Sequence, residues 1–227
     1  SNKIILVGNS FTKSTFEPYG KLISSSISEI SIDPPPIFRD RKIISFERRE
    51  QLSYIFCGSN GGIRKGLFNL IRAWEKFVID KKNCKLIIIG GIDDMYFKKD
   101  KQKYKNINIE ILGWVSSEKH IELLDSSRFF IFPSLEEGQV SSVLEAMKLG
   151  CIPIISKECG IDLLNQSLTI KNPQSIKSIL KALNNSSKLS NKKGIYMQNL
   201  MNEKIYINHN NYKKEIDPIR RIVGNIF

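Results

Sequence analysis

Two acidic residues stand eight positions apart in the stretch EEGQVSSVLE, where Glu137 precedes a glycine and Glu145 comes later. The apolar run FFIFPS precedes this stretch, and the helical pattern SSVLEAMKLG overlaps its end. We therefore expect Glu137 in a loop after a strand and Glu145 inside a helix. A carboxylate accepts two hydrogen bonds and so suits a pair of neighbouring hydroxyls. The spacing would let the two acids face one cleft from different heights, and a structural pairing of Glu145 with a lysine is an equal alternative at this point.

The residues between the two acids lead into the same predicted helix. They are Gly138, Gln139, Val140 and Ser141, with Ser142 following. The unpaired N–H groups and the positive end of a helix suit a phosphate, and a glycine allows its close approach. We expect Ser141 or Ser142 to cap the helix rather than to contact the phosphate.

A glycine-rich segment, GSNGGIRKG, follows the apolar run SYIFC and carries two cations. It begins with Gly58 and Ser59 and ends with Arg64 and Lys65 before a glycine. Lys65 suits a phosphate as a point charge. The segment is not a P-loop, because a leucine follows the Lys-Gly pair where that motif requires serine or threonine.

Short apolar runs rich in Ile, Val and Phe alternate with helical patterns along the chain. The predicted strands are 3–7, 53–58, 85–90, 108–113, 129–133 and 152–156, and the helical patterns are 65–80, 116–127 and 141–150. Near-continuous apolar runs are typical of parallel strands buried on both faces. The alternation predicts an α/β fold, in which ligands bind beyond the carboxyl ends of the strands. Trp74 lies on the apolar face of its helix and is expected in the core, and the chain after residue 172 is expected to form surface-lying helices.

Composition narrows the class of protein. The chain has 227 residues, of which 41% are hydrophobic, and a net charge of +12. The sequence contains no run of about 18 apolar residues, so it predicts no membrane span. The start SNKIILVGNS lacks the basic-then-apolar layout of a signal peptide. The four cysteines form no CxxC pair and are expected to be reduced core thiols of a cytoplasmic protein. The basic residues are spread along the chain without aromatic interleaving, which argues against nucleic-acid binding.

With these elements placed, the string IFPSLEEGQVSSVLEAMKLGCIPIIS resembles the nucleotide-sugar site of retaining GT-B glycosyltransferases, especially glycosyltransferase family 4. The matching residues are Phe132-Pro133-Ser134, Glu137-Gly138, Glu145-Ala146-Met147 and Gly150-Cys151-Ile152-Pro153. Lys65-Gly66 in FCGSNGGIRKGLFNLIRAW resembles the end of the family's first phosphate loop. NIEILGWVSSEKHIELLDSS resembles the segment that lines the base pocket. NSFTKSTFEPYG resembles the last strand and helix of the family's other domain.

The resemblance implies a fold and a domain organisation. We expect a Rossmann-like parallel sheet flanked by helices, which is one half of a GT-B fold. Residues 1–36 would be the tail of the amino-terminal acceptor domain with the interdomain linker. Residues 37–227 would form the donor-binding domain with its carboxyl-terminal helices, and the acceptor-binding half would be missing.

The resemblance also implies roles for individual residues. Glu145 would bind the ribose hydroxyls, Glu137 the hydroxyls of the donor sugar, and Lys65 the pyrophosphate. An arginine usually follows the first-loop glycine, but Ser59 stands there, and Arg64 either replaces its charge or faces solvent. Val115 lies where the family's backbone recognises the base edge. The neighbouring Trp114 packs either against the base or in the core.

The implied activity is transfer of a sugar from a UDP- or GDP-linked donor to a glycan or lipid-linked acceptor with retention. No metal and no protein nucleophile would be required, and this chain alone would bind the donor but transfer poorly or not at all. The expected location is cytoplasmic. The positive charge fits contact with the inner face of the membrane and a merely soluble basic domain equally well.

The sequence also admits four alternative functions and several weaker candidate sites. A GT-B nucleotide-sugar epimerase and a non-catalytic nucleotide-sugar-binding module would use almost the same residues. An NAD-binding domain is disfavoured because GSNGGIRKG lacks the required glycine spacing, and an electrostatic RNA binder would show salt-dependent affinity. Asp93-Asp94 is expected in a solvated loop rather than at a metal, and His120 and His209 are expected at the surface.

Overall fold

The structure is a computed structural model that describes residues 4–7, 27–30, 36–38, 41–58, 62–81, 83–91, 101–138, 140–161 and 166–203. Two short strands, β1 (Ile4–Val7) and β2 (Ile27–Ile30), pair in parallel as a separate sheet. The sequence predicts β1 but misses β2, because a serine and a glutamate interrupt its apolar residues. A short 3₁₀ turn follows at Pro36–Phe38, and the preceding two prolines lie outside the described residues.

Five further strands form one parallel sheet in the order β5-β4-β3-β6-β7. They are β3 (Ser53–Cys57), β4 (Lys85–Ile89), β5 (Ile109–Gly113), β6 (Phe129–Phe132) and β7 (Ile152–Ile155). All five confirm predicted strands. From the central β3 the chain runs outward to β5, then returns to the other side of β3 for β6 and β7. The direction of winding thus reverses between β3 and β6, and the crevice beyond their carboxyl ends is where ligands bind in such sheets.

Helices connect the strands and cover the sheet. They are α1 (Leu67–Phe77), α2 (Lys101–Asn106), α3 (Ser117–Ser126), α4 (Ser141–Lys148), α5 (Ile176–Ser187) and α6 (191–203). The sequence predicts α1, α3 and α4 with slightly longer bounds. It misses α2, whose polar sequence KQKYKN has no apolar stripe. The expectation of purely surface-lying helices after residue 172 is wrong for α5, which packs against α1 and buries Ile179, Ala182 and Leu183.

An aromatic cluster forms the centre of the core. The Tyr54 ring lies 4.9 Å from that of Phe129 and 5.2 Å from that of Trp74, measured between centroids. Trp74 is fully buried, as its place on the apolar face of α1 predicts, and its Nε1–H donates to the Ile107 carbonyl at 2.8 Å. This bond fastens α1 to the segment that leads into β5.

We expect Trp74→Phe to lower the free energy of unfolding by about 1–3 kcal/mol, because the Ile107 carbonyl loses its donor and the smaller ring leaves space. Urea unfolding followed by circular dichroism measures the change. Tyr196→Phe is the control, since Tyr196 is 62% exposed and should shift stability by less than about 0.5 kcal/mol. Equal midpoints for the two variants would contradict this role of Trp74.

The four cysteines are free thiols, as the sequence predicts, and three of them are buried. Burial raises the pKa of Cys151 and of Cys159 to about 12. Such thiols remain protonated at neutral pH and behave as small apolar groups.

A buried arginine stabilises the end of the sheet opposite the crevice, where the strands begin. Arg49 is only 3% exposed. Its Nη1 donates to the carbonyls of Leu124 at 2.7 Å and Ser127 at 2.8 Å, at the end of α3. Its Nη2 donates to the carbonyl of Leu149, just after α4, and its Nε to that of Ile44 at 2.9 Å. One side chain therefore satisfies carbonyls from three separate segments.

Within the part of the chain that the structure describes, we find no helix with the length and apolar character needed to cross a membrane.

Candidate functional site

The loops that follow β3 and β6 meet at the crevice where the winding of the sheet reverses. The carbonyl of Arg64 accepts hydrogen bonds from the Leu135 N–H at 2.9 Å and from the Ser134 hydroxyl at 3.3 Å. The Ser156 hydroxyl, just after β7, donates to the Ser134 carbonyl at 2.6 Å. Three neighbouring strand ends are thereby joined through the backbone around Ser134.

Gly66 lies at the closest approach of the two loops. Its φ of +75° lies in the left-handed region, and a Cβ there would stand 1.9 Å from the Pro133 carbonyl oxygen. Gly66 is also the N-cap residue of α1. The Lys-Gly pair noted in the sequence therefore has a steric reason, because only glycine lets the phosphate-loop candidate touch the loop after β6.

Lys65 turns inward from the same loop. It is 8% exposed, and its Nζ lies 5.5 Å from the centroid of the Phe132 ring, at the end of β6. The Cys57 thiol at the end of β3 has its pKa raised to about 11, chiefly by burial. The charge of Glu145 raises that pKa further, whereas the charge of Lys65 lowers it. Both charges therefore act on the same thiol, and Lys65 itself lies against Phe132 at the end of the neighbouring strand.

Arg64, the preceding residue, turns toward the loop after β6 instead. Its Nη1 donates to the Glu136 carbonyl at 2.7 Å and lies 3.1 Å from Oε1 of Glu137. The Arg64 side chain is 49% exposed and that of Glu137 only 17%. Oε1 is buried and receives no hydrogen bond of good geometry from the described residues, so its contact with the guanidinium is an ion pair.

Glu145 lies within α4 and is half-buried. Burial raises the pKa of its carboxyl, because removal from water disfavours the charged form. The N-cap residue of α4 is Val140, whose side chain makes no capping hydrogen bond. The expectation that Ser141 or Ser142 caps it is wrong, because both serines already lie in the first helical turn. The N-cap position of α4 therefore carries no hydroxyl group.

The other expected contact residues are distributed as follows. Gly58 follows β3, and its N–H donates to the Ile89 carbonyl at 2.9 Å. Gly138 is exposed and Val115, just after β5, is half-buried. Trp114 is 70% exposed, so the alternative that places it in the core is wrong. Ser59 and Gln139 lie outside the described residues, and so do Asp93, Asp94 and His209.

The expectation that His120 lies at the surface is wrong. This residue is half-buried on α3, and its ring packs edge-on against Phe38 with centroids 6.0 Å apart. Burial lowers the pKa of the imidazole. Across the described ranges, no group of three or more His, Cys, Asp or Glu side chains is placed to hold a metal ion.

Several features of the crevice escaped sequence analysis. The Cys57 side chain, the Phe132 ring under Lys65 and the Glu136 carbonyl on Arg64 all belong to it. Cys57 and Phe132 are the last residues of β3 and β6, and Glu136 follows in the loop after β6, so their positions at strand ends were available as a signal. The partner of each cation could not be read from the sequence, because residues 64 and 137 are brought together only by the order of strands in the sheet.

Comparison with known proteins identifies the family. Residues 38–197 match the model of glycosyl transferases group 1. The uncharacterized glycosyltransferase MJ1059 of Methanocaldococcus jannaschii is 34% identical over 101 residues, which cover 42% of this chain and 23% of that protein. Among solved structures, the pneumococcal O-GlcNAc transferase GtfA in complex with UDP and GlcNAc superposes with a TM-score of 0.69 at 15% identity, covering 96% of this chain and 45% of that one.

The carboxyl-terminal domain of a glycosyl transferase group 1 protein (LpcC) from Francisella tularensis superposes with a TM-score of 0.58 at 19% identity. That match covers 71% of this chain and 88% of that domain. The chain thus spans less than half the length of MJ1059 and of GtfA. The family model matches well over half of the chain, and the sheet order agrees with a Rossmann-like half of a GT-B fold. The chain belongs to the glycosyl transferases group 1 family.

Proposed function

We propose that this chain is the donor-binding half of a glycosyltransferase that moves a sugar from a nucleotide-sugar to a glycan or glycolipid acceptor with retention. The observation that carries the proposal is the crevice between β3 and β6. It brings Lys65, Glu137, Glu145 and the start of α4 to one end of the sheet. Family membership and a structural neighbour solved with UDP and GlcNAc support the same function.

The parts of a nucleotide-sugar have matching partners in this crevice. The pyrophosphate would bind Lys65 and the backbone N–H groups at the start of α4. Glu145 would accept hydrogen bonds from the ribose diol, and Glu137 from hydroxyls of the donor sugar. The base would lie near the backbone of Val115, and a uracil or guanine base is proposed. Because a side-chain cation and a helix end meet the pyrophosphate, the proposal requires no metal.

In the proposed reaction, an acceptor hydroxyl oxygen bonds to the anomeric carbon while the bond from that carbon to the phosphate oxygen breaks. The hydroxyl proton passes to the departing phosphate on the same face, so configuration is retained and no protein nucleophile takes part. Negative charge grows on the nucleoside diphosphate as it leaves. Lys65 is already desolvated and fixed beside Phe132, so it stabilises the transition state more than the ground state.

The acceptor would be bound by a second domain, of which residues 1–36 are the proposed tail. The match to an isolated carboxyl-terminal domain supports this division. The net charge of +12 is compatible with work at the inner face of a membrane, where lipid-linked acceptors are found.

Calorimetric titration with UDP, GDP and ADP tests the proposal. The chain should bind one of them selectively, and Glu145→Gln should weaken that binding by about 10–100-fold, since hydrogen bonds to a charged group contribute about 1.5–3 kcal/mol. Glu122→Gln, at an exposed position on α3, is the matched control and should bind like the parent chain. Equal affinities of the Glu145 and Glu122 variants for the selected nucleotide would contradict the proposed ribose contact.

The raised pKa of Glu145 adds a pH dependence to the same experiment. Nucleotide affinity should fall as pH falls through the raised pKa, and so at higher pH than for an ordinary glutamate. The free energy of unfolding has the opposite pH dependence, because burial penalises the charged form of Glu145 only in the folded state. The contribution of this carboxyl to stability is greatest below its unfolded pKa and is lost as pH rises through its folded pKa. Glu145→Gln should therefore stabilise the chain at pH 7 and not at pH 4, as measured by urea unfolding.

A further inference from the structure

We infer that Arg64 is a positioning residue for the sugar portion of the donor and not a ligand of its pyrophosphate. The inference rests on the proposed function and concerns a pairing that the sequence does not show. Arg64 and Lys65 are adjacent in the chain, but their side chains lie in different surroundings. Lys65 is buried over the Phe132 ring at the end of β6, whereas Arg64 lies half-exposed against the loop after that strand.

The backbone and the side chain of Arg64 contact the same loop. Its carbonyl accepts from Ser134 and Leu135, and its guanidinium donates to the Glu136 carbonyl and pairs with the Glu137 carboxylate. The residue therefore spans four consecutive positions of the loop that carries the sugar-binding candidate. Nη1 makes both of the guanidinium contacts, so the carbonyl of Glu136 and the carboxylate of Glu137 are held to the same atom of one cation.

The ion pair holds one oxygen of the Glu137 carboxylate, Oε1, buried against Arg64. Nη1 stands 3.1 Å from Oε1 of Glu137 without donating a well-directed hydrogen bond to it. The guanidinium offsets the cost of removing this carboxylate from water. Because Oε1 is buried against Arg64, a sugar hydroxyl would donate to the other oxygen of a carboxylate whose charge is already compensated. Such a carboxylate is oriented before the sugar arrives, which lowers the entropic cost of binding it.

A comparison of nucleotide with nucleotide-sugar separates this role from phosphate binding. We would titrate the parent chain and Arg64→Ala with UDP, UDP-GlcNAc, GDP and GDP-mannose. For the pair that the parent binds, Arg64→Ala should change the Kd of the nucleoside diphosphate by less than twofold and weaken the nucleotide-sugar by at least fivefold. Arg64→Lys keeps the charge but not the shape of the side chain, and its Kd for the nucleotide-sugar should lie between those of the parent and of Arg64→Ala. Arg72→Ala, at an exposed position on α1, controls for loss of one positive charge.

Equal weakening of both ligands would assign Arg64 to the pyrophosphate and overturn the inference. Unchanged affinity for both ligands would overturn it as well. A second, ligand-free measurement decides the case in which the parent binds none of the four. Amide hydrogen exchange should then rise at least fivefold in 134–138 of Arg64→Ala and stay unchanged in 129–132 and in Arg72→Ala. That result with no nucleotide binding would leave the positioning of the loop supported and the proposed function refuted. Unchanged exchange in 134–138 would overturn the inference itself.

Discussion

Replacing Arg49 with methionine should lower the free energy of unfolding by about 3–5 kcal/mol, because buried carbonyls of three segments would lose a donor. Arg49 satisfies the carbonyls of Leu124 and Ser127 after α3 and of Leu149 after α4. Each carbonyl left without a donor costs about 1–3 kcal/mol, although the Cys151 thiol also contacts the first two. Methionine keeps much of the apolar stem, so the loss reports mainly on the guanidinium.

Urea unfolding of Arg49→Met and Arg48→Met side by side measures this effect. Arg48 is exposed at the neighbouring position, so its replacement should change stability by less than about 0.5 kcal/mol. Because Arg49 lies where β6 and β7 begin, opposite the crevice, folded Arg49→Met at low temperature should still bind the selected nucleotide. Similar losses of stability in the two variants would contradict the role of Arg49 as a link between segments.

Gly66→Ala should both destabilise the chain and disrupt the site. A non-glycine residue in the left-handed region costs about 1–2 kcal/mol, and the added Cβ would stand 1.9 Å from the Pro133 carbonyl oxygen. No side-chain rotation can relieve a clash with a backbone atom, so the two loops must separate. We expect a loss of at least about 2 kcal/mol in stability and a more than tenfold loss in nucleotide affinity, measured by urea unfolding and calorimetry.

Gly62→Ala is the matched control for Gly66→Ala. It lies in the same loop and is buried, but among the described residues a Cβ there would meet only the Leu67 side chain at 3.5 Å, an ordinary contact, and its backbone is not left-handed. Gly62→Ala should fold and bind like the parent. If the two alanine variants behaved alike, the close contact between the loops after β3 and β6 would be excluded.

The sequence predicted the large sheet because its strands are dense in Ile and Phe, a pattern typical of parallel strands covered on both faces. It also predicted β7 despite Pro153, which the structure places in the outermost of the five strands, where a missing N–H costs least. β2 and α2 escaped prediction because a serine and a glutamate interrupt the apolar residues of β2, and α2 is polar without an apolar stripe. Local pattern was therefore sufficient for elements that bury continuous surface and insufficient for short polar ones.

The site was predictable in part. The spacing of Glu137 and Glu145 around a strand end and a helix start indicated two carboxylates at one cleft. The N-cap differed by one residue, since Val140 precedes the serines that were expected to cap α4. The partner of Arg64 depends on the side-by-side placement of β3 and β6, which lie more than 70 positions apart in the chain. Spacing along the sequence carries no information about such a pair.

A crystal structure of this chain with the nucleoside diphosphate that it binds most tightly would test the central claim most directly. The account predicts the diphosphate beside Lys65 and the start of α4, the ribose hydroxyls on Glu145, and Arg64 still paired with Glu137. A diphosphate bound by Arg64, or a nucleotide bound away from the crevice between β3 and β6, would contradict it.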